Sequence, residues 1–234
     1  DVKGFDGCMV KQKERARTSG RFQADIEDSE WTIIDDGIST DFLGYEKLES
    51  NAKIVKYIKS ENSYKIVLDR TPFYAESGGQ VGDKGTIKSD EFNLIVDDVQ
   101  KNGDEFIHLC TIESGALADN YDVKAIVDSE NRQKIRLNHT ATHLLHQALK
   151  EVVGGHVQQA GSLVSAEMLR FDLTHYAQIT KKQLLEVENC VNSVILHNIA
   201  LETNIKSYKE AQKEGAVSLF GEKYGDEVRV VDVP

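Results

Sequence analysis

The sequence predicts an α+β fold: a small antiparallel β-barrel, then an α+β core with a histidine-bearing helix, all preceded by a short N-terminal helix. Three observations lead there. Short β-branched or aromatic runs separated by turn residues fill about 51–128. Helical periodicity begins near Ser129. Strand-like runs then alternate with two further helices toward Pro234.

Residues 1 to about 24 are read as a charged helix, with the basic run Lys11-Gln-Lys-Glu-Arg-Ala-Arg17 on a solvated face, and 25–50 as an acidic connector. The barrel follows over 51–128. Its runs are Ile54 to Ile58, Tyr64–Leu68, Phe92–Val96, Glu105–Ile112 and Tyr121–Val127, divided by turns such as Ser60-Glu-Asn-Ser63 and Asn102-Gly103-Asp104. That rhythm suits a compact all-β unit. In the core, 129–234, Asp128 or Ser129 caps a first helix and Gly154-Gly155 ends it. Thr180-x-x-Gln183 and Ser207-x-x-Glu210 have the form of capping boxes for two more helices. Strands are expected at Ala160–Val164, Arg170–Leu173 and Val228–Val233.

Composition narrows the function classes. The 234 residues carry a net charge of −11 and are 40% hydrophobic, enough for a buried core. No apolar run approaches the ~20 residues that span a bilayer, so no membrane partner is expected. Asp1 in place of a starting Met reads as an excised fragment or a processed product. Cys8, Cys110 and Cys190 are odd in number and widely spaced, unlike a secreted disulfide framework, which points to a cytoplasmic location. The acidic average argues against nucleic-acid binding, but it is uneven. From Arg132 to His175 there are five basic residues against three acidic, and five of the seven histidines fall there.

His139-Thr-Ala-Thr-His143-Leu-Leu-His146 is the sharpest feature of that stretch. At helical spacing the three histidines share a narrow stripe, with Ala141, Leu145 and Ala148 pointing the other way, so the histidines are expected off the main packing face. Residues four apart on a helix have Cβ atoms ~6 Å apart, close enough for His139 and His143 to share one metal ion. Thr140 stands where a zinc protease has Glu, so this helix holds no general base of that kind. His146 lies ~10 Å along the helix from His139, too far to join it. Cys190 and His197 are also seven apart and do not pair locally; Cys190 is expected to pack on its helix. Two usable ligands remain: either this is not a metal site, or its other ligands lie elsewhere.

Arg70 to Gly85 carries four glycines between Gly78 and Gly85. It fits neither a phosphate-binding P-loop nor GxGxxG. It reads as tight turns or as a backbone surface that a ligand approaches closely, with Glu76 and Gln80 as polar contacts.

Three segments together resemble one family. Arg70-Thr-Pro-Phe-Tyr-Ala-Glu-Ser-Gly-Gly-Gln-Val-Gly-Asp-Lys-Gly85 resembles the glycine motif of alanyl-tRNA synthetase editing domains. Arg136-Leu-Asn-His-Thr-Ala-Thr-His-Leu-Leu-His146 resembles their first zinc motif. His156-Val-Gln-Gln-Ala-Gly-Ser-Leu-Val164 with Leu169-Arg-Phe-Asp172 resembles the next block, and Phe5–Arg17 the linking helix before the editing domain. The resemblance implies a deacylase that hydrolyses tRNA(Ala) mischarged with serine or glycine, within a parent enzyme that ligates alanine to tRNA(Ala). It implies Zn2+ held by His139 and His143, with a second pair in a Cys-x-x-x-His segment expected after Pro234, so that this chain's site and core are incomplete at the C-terminal end. It makes Gln159 the catalytic candidate. Glu76, Gly78, Gly79, Gln80, Arg136 and Arg170 are the candidate substrate or tRNA contacts. ATP and Mg2+ would belong to an aminoacylation domain outside this chain. The alternatives are a free-standing trans-editing deacylase and a non-catalytic tRNA-binding module.

The chemistry is coherent. A pocket shaped for alanine rejects smaller glycine, or serine with one added hydroxyl, only weakly, so a second hydrolytic site raises accuracy. Ester hydrolysis needs an activated water and a polarised carbonyl, and zinc can supply both.

Overall fold

The structure, a computed structural model, describes residues 30–37, 39–117, 120–216 and 225–232. The expected N-terminal helix, with Phe5–Arg17, lies outside the described residues, as does Val233.

Within the stretch expected to be a plain connector are two short strands, β1 (Thr32–Ile33) and β2 (Asp41–Phe42). The barrel is built from β3 (Glu49–Lys59), β4 (Ser63–Leu68), β6 (Gly85–Lys88), β7 (Phe92–Asn102), β8 (Glu105–Gly115) and β9 (Asp122–Val127); β5 (Arg70–Thr71) pairs in parallel with β2. The strands follow the order β3-β4-β8-β7-β6-β9, and β9 pairs back onto β3, closing a six-stranded antiparallel barrel. One strand makes closure possible. The first half of β3 pairs with β9 and the second with β4, and the ladder shifts register between Ile54 and Lys56 where β3 changes partner. Such a bulge bends a strand at a barrel corner.

Alternation drives the packing. In β7, Phe92, Leu94, Val96 and Val99 are buried while Ile95 stays largely outside, and Ile54, Ile66, Leu68, Phe73 and Ile87 complete the interior. β6, Gly-Thr-Ile-Lys, escaped the sequence reading because it offers one large apolar residue, Ile87, between glycine and lysine.

The second unit follows without a linker. Asp128 caps helix α1 (Ser129–Val152) by accepting from the Asn131 N–H. The ribbon β10 (Gln158–Val164) and β11 (Leu169–Thr174) then packs on α1, and α2 (Lys181–His197) lies beside it. Ala148, Leu149, Val157 and Val187 form this smaller core, with Cys190 packed against it from α2. Both expected capping boxes, at Thr180 and Ser207, are present. The chain continues with β12 (Glu202–Ser207), helix α3 (Tyr208–Lys213) and β13 (Glu227–Asp232), which pairs with β12.

Barrel and helix are bolted together by one ion pair. The Arg132 guanidinium on the first turn of α1 donates to both carboxylate oxygens of Asp83, and to the carbonyls of Gly44 at 2.8 Å and Pro72 at 2.9 Å. Asp83 is fully buried and also accepts from the Tyr74 N–H at 2.6 Å. Four of the five guanidinium N–H groups and both carboxylate oxygens are bonded, the kind of satisfaction under which a buried pair is tolerated.

Candidate functional site

The Arg132–Asp83 clamp sets the glycine hairpin against the histidine helix. Ser77 and Gln80 exchange both backbone hydrogen bonds, at 2.9 and 3.1 Å, so Gly78-Gly79 is a two-residue turn. Both glycines have positive φ, +59° and +85°, which other residues adopt only under strain. A side chain at Gly79 would also strike the Ser162 carbonyl oxygen, at 2.5 Å from its Cβ. The hairpin can therefore lie flat against β10: Val164 N–H donates to the Gly79 carbonyl and Val81 N–H to the Val164 carbonyl.

The next residue points at the helix. Gln80 is 8% exposed, and its Oε1 lies 2.6 Å from Nδ1 of His139. An amide oxygen only accepts, so this bond puts the imidazole hydrogen on Nδ1 and leaves Nε2 with a free lone pair. His143 stacks on His139 with ring centroids 5.1 Å apart. Burial, reinforced by the neighbouring His143, holds His139 below the ordinary histidine pKa. His143 keeps much of its surface in solvent, but the atoms crowding the rest of its ring lower its pKa as well. Two neutral imidazoles side by side, one with its tautomer fixed by an outer hydrogen bond, suit metal ligation. They supply half of a tetrahedral shell; among the described residues no group of three or more His, Cys, Asp or Glu is placed to hold one ion.

His146 departs from expectation. It is 6% exposed, tilted against the Phe171 ring at 5.1 Å, and its Nε2 is buried without a hydrogen-bond partner. The stripe was expected to avoid the packing face. The β10–β11 ribbon instead covers the helix on this side, so the stripe runs from half-buried His139 through exposed His143 into the core.

Gln159 sits on the same ribbon. It pairs with Leu173, which packs on the helix core, and directly opposed residues share a face, so Gln159 faces α1. A register shift after Gln159 puts Ser162, opposite Phe171, on that face too, and turns Gly161 and Asp172 away. Arg170 is one residue from Phe171 on β11 and lies on the outer face, in a 3.1 Å ion pair with Asp172. Arg136 is exposed on α1, one turn before His139. Glu76 is exposed and accepts from Gln100 at 2.7 Å. The structure thus brings Gly78, Gly79, Gln80, His139 and His143 together, sets Gln159 on the adjoining face, and leaves Arg170 outside.

Two supporting residues were not legible beforehand. Asn138 donates to the Ser165 carbonyl at 2.8 Å, tying α1 to the β10–β11 turn, and Arg132 finds Asp83 across 49 residues. A cavity of about 350 Å3, lined by Asp128, Asn131, Lys134 and Glu167 among others, opens at the start of α1, away from the histidine pair.

The barrel is thus clamped to a histidine-bearing helix, and the glycine turn lies on β10 with Gln80 reaching that helix. The family model for class II (A) tRNA synthetases matches residues 1–131, more than half of the chain. The chain belongs to that family. It is 45% identical over its whole length to the alanine–tRNA ligase of Thermoanaerobacter sp. strain X514 and to that of Wolbachia pipientis wMel, in each case covering 28% of the relative. It is 47% identical over 98% of its length to the alanine–tRNA ligase of Fusobacterium nucleatum, covering 27% of it. The chain spans about 28% of the length of the curated relatives it matches.

Proposed function

We propose that this chain carries the editing site of an alanine–tRNA ligase and hydrolyses the ester that joins serine or glycine to mischarged tRNA(Ala). The observation that supports this most is the contact of Gln80 with His139, which joins the glycine motif to the histidine pair in one site. In this reading 51–128 is the glycine-motif barrel and 129–234 the editing core. The parent enzyme ligates alanine to tRNA(Ala) in the cytoplasm, using ATP and Mg2+ in a separate domain.

His139 and His143 would hold Zn2+, with a Cys-x-x-x-His segment of the longer protein supplying the remaining ligands. When bound, the ion supplies an activated water and polarises the ester carbonyl. Gln80 keeps His139 in the tautomer that leaves Nε2 bare. Gly79 lets the hairpin lie against β10, and Gly78 beside it presents backbone in place of a side chain, so the ribose and aminoacyl group can approach the turn closely. Gln159 is a neutral amide and cannot take a proton at pH 7, so it orients the ester or the attacking water by hydrogen bonding. Arg136, exposed one turn before His139, and Arg170 on the outer face of the ribbon contact tRNA phosphates.

Preformed Ser-tRNA(Ala), Gly-tRNA(Ala) and Ala-tRNA(Ala), incubated with zinc and the protein extended through that segment, test the proposal. The seryl and glycyl esters should be cleaved and the alanyl ester spared. Seryl and glycyl esters as long-lived as in buffer would refute it.

A further inference from the structure

Beyond the histidine pair, the open end of the β10–β11 ribbon carries three rings. His156 stands just before β10, and His175 and Tyr176 just after β11. His156 and His175 lie edge to edge, centroids 5.1 Å apart and planes at 27°, and Tyr176 sits against both, 5.0 Å from His156 at 29° and 4.9 Å from His175. Nε2 of His156 and Nδ1 of His175 are 2.8 Å apart, so one carries the hydrogen and the other accepts it. A side chain at Gly154, whose φ is +139°, would lie 2.8 Å from the His156 ring, so glycine makes room for it.

These rings are ordered by one another but belong to no core. Tyr176 is 87% exposed and His156 is exposed. The His156–His175 hydrogen bond and the contact with Tyr176 hold the ring planes and leave ring faces in solvent. Such faces take a nucleobase well, because every base has a π-face and base–aromatic stacking tolerates any sequence. The two imidazoles are not arranged for a metal, since their facing nitrogens share a hydrogen. The place also fits. Gln159 follows His156 by three residues, at most about 11 Å of extended chain. The ester proposed above sits on the terminal ribose of a single-stranded RNA end, and a base next to that ribose needs somewhere to lie.

We infer that His156, His175 and Tyr176 form a stacking platform for an unpaired base of single-stranded RNA. The inference rests on the editing reading for its partner, but its test needs no ester.

Fluorescence anisotropy of a labelled oligoadenylate, titrated with the 234-residue chain, reads binding directly, with an abasic RNA of equal length as the control. Tyr176→Ala should weaken oligoadenylate binding roughly 5- to 150-fold, the range that the loss of one stacked base gives. Tyr176→Phe should retain it, and His156→Ala should weaken it. Abasic RNA should bind weakly to the wild type and respond to none of these changes. Binding of abasic RNA equal to that of oligoadenylate, affinity unchanged in both alanine variants, or no binding by the wild type would each overturn the inference. Tyr176 is exposed, so its variants should fold, with circular dichroism as the check. A protein that loses oligoadenylate with Tyr176→Ala but never cleaves Ser-tRNA(Ala) would sink the hydrolytic reading and keep the platform. One that cleaves the ester but ignores these changes would do the reverse.

Discussion

Gln80 accepts a hydrogen bond from Nδ1 of His139 across 59 residues of sequence, at 2.6 Å. The bond joins a barrel loop to the helix and decides which imidazole nitrogen is free. Outer partners of metal-binding histidines typically contribute 10- to 100-fold in metal affinity, by rough estimate. Gln80→Leu in the protein extended through the Cys-x-x-x-His segment should therefore weaken zinc binding by about that factor, read by competition with a chromogenic chelator. Unchanged affinity in a folded variant would separate Gln80 from the histidine site.

Arg132 and Asp83 make the second long-range link, and both are buried. Removing one partner strands the other without water or a counter-charge, which costs about 3–5 kcal/mol. Arg132→Ala should lose stability in that range in urea unfolding. Arg132→Leu combined with Asp83→Leu should cost less than the sum of the single changes. A loss below about 1 kcal/mol for Arg132→Ala would show that the clamp matters little.

Inside the barrel, His108 is fully buried between two partners. Its Nδ1–H donates to the Ile66 carbonyl at 3.0 Å, and the Thr71 hydroxyl lies 2.8 Å from its Nε2. Thr71 Oγ1 in turn accepts from the Phe73 N–H. Burial lowers the pKa of His108 to about 4, so the folded protein holds it neutral while the unfolded chain takes up a proton below about pH 6.5. The folded pKa is the lower one. Stability is therefore full above pH 6.5 and falls as pH drops, by about 1.4 kcal/mol per pH unit and about 3 kcal/mol by pH 4. Replacing His108 with Gln should flatten the fall of urea stability between pH 7 and 5 by about one proton's worth. Equal slopes for variant and wild type would assign the pH dependence to the other histidines.

Period and punctuation made much of the fold readable from sequence. The barrel runs alternate, and Asp128, Thr180 and Ser207 cap helices as their side chains require. Strands lacking an apolar signature were not readable: β6, with Ile87 alone, and β12, whose Glu202–Ser207 residues are mostly exposed and ordered by pairing with β13. In the site, helical spacing placed His139 beside His143. It could not tell that a ribbon would cover the helix and bury His146, because helical periodicity reports one element and burial depends on its neighbours. Gln80 was singled out as a polar contact, but its bond to His139 and that of Arg132 to Asp83 were hidden for the same reason, spanning 59 and 49 residues.

On the proposed reading the hairpin, the histidine pair and the facing ribbon form one hydrolytic site, and Gln159 tests this with least disturbance to the fold. It is half-buried on β10, opposite Leu173, with its side chain on the helix face. In the proposed reading its loss removes one oriented hydrogen bond to the ester or the attacking water, which in comparable sites costs about 10²–10³ in rate. The measurement is single-turnover deacylation of preformed Ser-tRNA(Ala) by the zinc-loaded, extended protein and its Gln159→Ala variant, with circular dichroism as the folding control. The folded variant should be slower by about 10²–10³. An unchanged rate constant in a folded Gln159→Ala variant would contradict it.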